Sequence, residues 1–292
     1  MASLHSPANK ETQHAAPRGF CAGRPGAGPA DYPLSRNAAE HARLAEQAAF
    51  WQPDCRAFFD SVPIEPGQRV ADLGCGTAHV AEALADAVGP RGRVLALDND
   101  PGLADLLQQA AAARPMIQPC RGDAFATGWP ARGLDAVHAR FLAAPTGRLD
   151  ALVAEMARLV RPGGWLLLQE PLAEHWQVPA AGADWARLKA LIVEGFARRG
   201  GDFNAGARLA QALRAAGATT VQVRTVTHQL PGRHPYARLP LAFARSLAAT
   251  WRDTGLLAEG DQRALLQAVE AALDTDAPTS TFTLVQVAAR MP

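Results

Sequence analysis

The chain has 292 residues, 48% of them hydrophobic, with 29 basic against 28 acidic side chains and a net charge of +1. That length suffices for one or two domains around a sizeable core, and the near-zero charge, with arginines spread rather than blocked together, argues against a nucleic-acid partner. No apolar run approaches the roughly 18–20 residues that span a bilayer, and the start lacks a charged segment followed by an apolar signal core. Cys21, Cys55, Cys75 and Cys120 form no C-x-x-C pair, so neither a zinc site nor a disulfide framework is expected. The expectation is a cytoplasmic protein with reduced thiols, no metal, no membrane association and a small-molecule partner.

Residues 1–30 are rich in Pro, Gly, Ala and Ser and read as a disordered tail. Residues 31–66 read as a helical cap. Ala38, Ala42, Leu44, Ala45, Ala48 and Ala49 recur at helical spacing, and Phe58, Phe59 and Val62 continue an apolar face after Pro53. Two short helices are predicted, with the main domain over 67–292.

From Arg69 to Val80 the chain reads RVADLGCGTAHV, an apolar strand, a glycine turn and a helix start. Glycines let the backbone turn sharply and approach a ligand, and the helix start offers unpaired N–H groups. A dinucleotide fingerprint wants Gly or Ala five positions after the first glycine, but His79 stands there. Asp72 instead lies two positions before it. The resulting D-L-G-C-G-T-A resembles the first motif of the class I S-adenosylmethionine methyltransferases, D/E-x-G-x-G-x-G, with Ala78 in the third glycine place. That resemblance implies S-adenosylmethionine as cofactor, S-adenosylhomocysteine as its product, and Asp72, Gly74, Cys75 and Gly76 against it. It also makes Tyr32, Arg43 and Gln47 candidates to fold over the methionine end.

A second strand, Arg93 to Leu97, ends at Asp98, whose carboxylate can accept from two vicinal ribose hydroxyls. By resemblance, Asn99 and Leu103 in D-N-D-P-G-L lie at the adenine. After a helix over Gly102–Ala113 and a strand over Met116–Pro119 comes Gly122-Asp123-Ala124. In the family an acidic residue here accepts from the adenine amino group, which assigns Asp123; a turn-capping role is the competing reading. The fourth strand, Leu134–Ala139, ends in A-R-F-L-A-A-P rather than the D/N-P-P-Y/F of nucleic-acid amino methyltransferases. His138 reads as a packed core histidine, and Arg140 either reaches the cofactor carboxylate or forms a surface pair.

An amphipathic helix over Arg148–Val160, stopped by R-P-G-G before a strand at Trp165–Gln169, gives L-V-R-P-G-G-W-L-L-L-Q-E-P, a second family-like segment. Helices over Asp184–Arg199 and Ala205–Ala216 and strands over Thr220–Val226 and Thr281–Ala289 complete the pattern. The fold expected is a doubly wound, mainly parallel seven-stranded α/β sheet with ligand at the strand C-terminal ends. An insert, 229–276, precedes the last strand and either caps the substrate pocket or forms a homodimer interface. His175, then His228, are the candidates for a general base. The function implied is methyl transfer to O, N or C of a small molecule, such as a natural product. The alternative is a methyltransferase-fold protein that catalyses another reaction or serves as a binding partner.

Overall fold

The computed structural model describes residues 37–292, apart from the side chains of residues 278 and 279. Seven strands form one sheet: β1 Arg69–Leu73, β2 Arg93–Asp98, β3 Ile117–Arg121, β4 Leu134–Arg140, β5 Val160–Pro171, β6 Thr220–Pro231 and β7 Pro278–Arg290. Their order is β3-β2-β1-β4-β5-β7-β6, with β7 antiparallel to both neighbours and the other pairings parallel. The strand order reverses between β1 and β4. In a doubly wound sheet the crevice for a ligand opens at that point, beyond the strand C-terminal ends.

Both faces of the sheet are covered, which is why β1, β2 and β4 read as nearly continuous apolar runs. Val70, Val94, Ala96 and Ala136 bury against α1 (Ala38–Asp60), α2 (His79–Val88) and α3 (Ala104–Ala113). Ala71, Leu73, Leu95 and Leu97 alternate with them and share the opposite core with α5 (Leu149–Leu159) and α7 (Leu209–Ala215); a short α4 (Ala143–Thr146) precedes α5.

Three boundaries differ from expectation. The two predicted N-terminal helices are one, α1, which runs through Pro53. Proline removes one backbone hydrogen bond from a helix interior, but burial of Trp51, Cys55, Phe58 and Phe59 on both sides holds the helix continuous. β6 runs on to Pro231 and β7 begins at Pro278, so the pair is five residues longer at the β6 end than the predicted Val226 stop. β6 is an edge strand whose residues are largely exposed, and Thr227, His228 and Gln229 carry no apolar alternation to mark it. β5 likewise starts at Val160, before the Pro-Gly-Gly bend.

The insert is therefore residues 232–277, and it holds α8 (Leu239–Ser246), α9 (Ala248–Asp253) and α10 (Glu259–Ala272). These pack on α6 (Gly182–Ala197) and on Trp51 of α1, around a third core containing Phe196, Phe243, Leu247 and Trp251. Trp251 is fully buried, and its indole N–H donates to the Leu191 carbonyl at 3.1 Å, pinning the insert to α6. No described helix is long and apolar enough to cross a membrane.

Candidate functional site

β1 leads into a turn where Gly74 (φ +70°) and Gly76 (φ +51°) hold left-handed backbone. A Cβ at Gly74 would sit 3.1 Å from the Leu142 side chain, so that glycine also permits a close approach. The Gly74 and Cys75 N–H groups both donate to the Leu97 carbonyl, at 2.8 and 3.0 Å, fastening the turn to β2. Ala78 is left-handed as well (φ 68°). For a residue with a Cβ this costs roughly 1–2 kcal/mol, which accounts for the preference for glycine at that place in the resembled motif.

Asp98 closes β2 against this turn. Its Oδ2 accepts from Gly76 N–H and its Oδ1 from Asp100 N–H, each at 2.9 Å. Burial pushes its carboxyl up from the ordinary range, and the backbone N–H groups of Asp100, Gly76 and Asn99 oppose that. A carboxylate offers about four lone-pair positions, so about one remains for a hydroxyl donor. Asp100 in turn accepts from Gly102 N–H and pairs with His41 of α1 at 2.9 Å, tethering the cap to the β2 loop. Asp123 Oδ1 takes the Phe125 N–H at 2.9 Å, an Asx turn that shapes the loop after β3.

Asp72 is 1% exposed, in the middle of the sheet. Its Oδ1 lies 2.8 Å from His138 Nδ1 on neighbouring β4, while Oδ2 is buried with no partner. The row continues across the sheet. His138 Nε2 is 2.8 Å from Gln169 Nε2 on β5, and Gln169 Oε1 accepts from Gln286 Nε2 on β7 at 2.8 Å. Donors and acceptors match in one direction only: Gln286 to Gln169, Gln169 to His138, and His138 Nδ1–H to Asp72. That pattern holds the imidazole and the carboxylate in one fixed arrangement.

A cavity of about 160 Å³ runs along the C-terminal edge of the sheet from β3 to β5. Over β1, β2 and β3 it is lined by Asp72, Gly74, Cys75, Gly76, Asp98, Asn99, Leu103, Gly122, Asp123 and Ala124. Over β4 and β5 its walls are Arg140, Phe141, Leu142, Pro171, Phe203 and Phe243, with Glu40, Arg43 and Gln47 of α1 above. Glu170, fully buried behind this wall, accepts from the N–H groups of Leu142, Ala143 and Ala144 at 2.7–3.0 Å. Burial drives its carboxyl up to about 7 despite those three donors.

Eleven of the expected binding residues, Arg140 included, thus line one cavity. Tyr32 lies outside the described residues. The two histidines expected near the transferred group do not line the cavity. His175 is exposed on a turn beyond β5, 4.0 Å from Glu174, and its carbonyl accepts from the Thr281 hydroxyl of β7. His228 sits on β6, separated from β4 by both β5 and β7, where its Nε2 is 2.7 Å from Asp54 and its ring packs edge-on against Phe50 and Trp51. The reason for His228 is topological: β7 intervenes between β5 and β6 and carries the β6 end away from the cavity. Phe243 belongs to the insert expected to cap the pocket, whereas sequence reasoning missed Phe203, which reaches the cavity only through tertiary packing. Among the described residues no His, Cys, Asp and Glu cluster could hold a metal.

Residues 70–164 match a family described as a methyltransferase domain. The chain is 30% identical over 241 residues to nocamycin O-methyltransferase of Saccharothrix syringae, covering 75% of this chain and 82% of that protein. It is also 32% identical over 109 residues to demethylmenaquinone methyltransferase of Geobacillus kaustophilus, covering 37% of this chain and 47% of that protein. Among solved structures it is similar to YcgJ of Bacillus subtilis, with a TM-score of 0.53 at 15% identity over 82% of this chain and 98% of that one. Phosphoethanolamine N-methyltransferase 2 of Haemonchus contortus, solved with S-adenosylhomocysteine, gives a TM-score of 0.51 at 16% identity over 82% of this chain and 53% of that chain.

Proposed function

The chain belongs to the class I S-adenosylmethionine-dependent methyltransferases, and from that premise we propose how its own residues divide the work of methylating a small molecule. The cofactor supplies an electrophilic methyl group on a sulfonium. Asp98 takes a ribose hydroxyl with the lone pair that its backbone donors leave open. Leu103 and Ala124 form the apolar slot for adenine, and Asp123 accepts from its amino group. Asp72 presents its open Oδ2 to the cationic methionine end, held in place by His138.

The observation that carries this reading is that buried, unpartnered Asp72 oxygen in the cavity wall. An isolated buried carboxylate oxygen is costly, and a cationic ligand relieves it. The rest of the protein contributes alignment and a dry site, which suffice for an in-line displacement. Phe243 brings the insert to the cavity wall, which supports a cap over the acceptor rather than a dimer interface. Likeness to the nocamycin enzyme supports an oxygen acceptor on a natural product.

Incubation with methyl-labelled S-adenosylmethionine and extracts of the producing cells tests the proposal. A labelled small molecule supports it; label appearing only in protein or nucleic acid refutes it.

A further inference from the structure

The acceptor half of the cavity, over β4 and β5, combines three features that point to one kind of substrate. The first is its walls. Phe141, Pro171, Phe203 and Phe243 present flat apolar surface, and a smaller adjoining space shares these four residues and ends on Trp176, Tyr236 and Phe282. Such walls select a flat apolar skeleton.

The second feature is a cation with one nitrogen left without a hydrogen-bond partner among the described residues. The Arg140 guanidinium lies over the Phe141 ring at 5.8 Å, and its Nη1 is buried without a partner. A buried charged donor left unsatisfied is destabilising, and an anion would supply the missing acceptor. Arg43, by contrast, is neutralised, because Glu40 accepts from its Nε and Nη2 at 2.8 and 2.7 Å. The polar chain then runs from Arg43 Nη1 to Gln47 Oε1 at 3.3 Å and from Gln47 Nε2 to the Tyr236 hydroxyl at 3.4 Å. Trp51 Nε1–H also donates to that hydroxyl, at 2.7 Å. With both contacts incoming, the phenol is left to offer its own proton. Accepting two hydrogen bonds strengthens an O–H as a donor, while burial pushes the Tyr236 phenol up against the opposing pull of those hydrogen bonds and of the Arg43 and Arg140 charges, so it keeps its proton.

The third feature is the set of groups available to remove a proton. No described histidine lines this cavity. Glu40 is occupied by Arg43, and Glu170 is spent on three backbone N–H groups behind the wall. A phenol or alcohol would need a base there, whereas an acid already ionised at neutral pH would not.

We propose that the acceptor is a flat, apolar oxygen acid, a carboxylic acid or acidic enol, bound as its anion by Arg140 and the Tyr236 hydroxyl and methylated on that oxygen. This rests on the methyl-transfer reading. In the step an oxygen lone pair forms the new C–O bond, the C–S bond breaks with its electron pair returning to sulfur, and anion and sulfonium are both neutralised. No proton is released, so none has to be removed.

The test uses the full chain saturated with S-adenosylhomocysteine and two probes of equal shape, 2-naphthoate and uncharged 2-naphthamide, titrated by calorimetry. The expected result is that naphthoate binds about ten-fold or more tightly than the amide, equivalent to about 1.4 kcal/mol. Arg140→Gln should abolish that preference with S-adenosylhomocysteine affinity retained, and Arg140→Lys should keep part of it. Equal binding of the two probes, or binding of neither, overturns the proposal. So does an Arg140→Gln protein that loses S-adenosylhomocysteine affinity by the same factor, since the guanidinium would then serve the cofactor carboxylate. A wild-type protein that does not bind S-adenosylhomocysteine at all removes the methyl-transfer reading itself, a separate outcome read before either probe is added.

Discussion

Replacing His138 by Leu leaves the Asp72 carboxylate buried with neither oxygen hydrogen-bonded, because Oδ2 already lacks a partner and Oδ1 has only the imidazole. Gln169 Nε2 loses its ring acceptor as well and is left with Cys55 Sγ at 3.1 Å. Removing one partner of a buried ionic or polar pair costs about 3–5 kcal/mol, a third or more of the roughly 5–15 kcal/mol that holds a domain folded. Equilibrium urea unfolding should therefore show a loss of that size with an unchanged slope. Adding Asp72→Asn to His138→Leu removes the stranded charge and should recover about 1–3 kcal/mol, read as a coupling energy in a double-mutant cycle. A single His138→Leu loss below about 1 kcal/mol, or a strictly additive double variant, would refute the claim that the imidazole is what holds this carboxylate.

Other consequences are equally direct. Because burial raises the Glu170 carboxyl from 4.5 to about 7, the folded state binds its proton more tightly than the unfolded chain. This residue's contribution is thus most favourable below the unfolded value and declines as pH rises through the interval to about 7, by a few kcal/mol at most. Subtracting the stability profile of Glu170→Gln from wild type should expose that decline; a difference that grows with pH would contradict it. Gly147→Ala places a Cβ 1.4 Å from the Gly200 carbonyl oxygen on left-handed backbone (φ +63°), so thermal unfolding should show a loss above about 3 kcal/mol or no folded protein. Tyr236→Phe strands the buried Trp51 indole N–H and should cost about 1–3 kcal/mol by urea titration; a neutral change would mean that donor finds another acceptor.

How much of this was readable in the chain depends on whether a feature is local. The cofactor half was legible because its parts are local: a strand, two glycines at a turn and a carboxylate at the next strand end lie within thirty residues of one another. Even the departure at Ala78 has a local meaning, visible once its φ of 68° is known. The Asp72–His138–Gln169–Gln286 row was not legible, since it joins residues up to 214 positions apart through strand register. His138 read as a core histidine, which its burial agrees with, but nothing along the chain names its partner. The acceptor half was legible only in part, because the insert could be read as a cap or as a dimer interface and nothing along the chain brought Phe203 to it. Phe203 and Phe243 arrive from a loop and an insert, and their place at the cavity follows from packing on α6. His175 and His228 suggested themselves as bases because loop position was judged without knowing that β6 stays paired with β7 to Pro231.

Titration of the purified chain with S-adenosylhomocysteine, for wild type and Asp98→Ala, bears most directly on the assignment of this cavity. Wild type should bind saturably, and Asp98→Ala, which removes the acceptor facing the glycine turn, should weaken binding by about 1.5–3 kcal/mol, some 10- to 150-fold. Binding of NADH in place of S-adenosylhomocysteine, or an Asp98→Ala protein with wild-type affinity, would contradict the account.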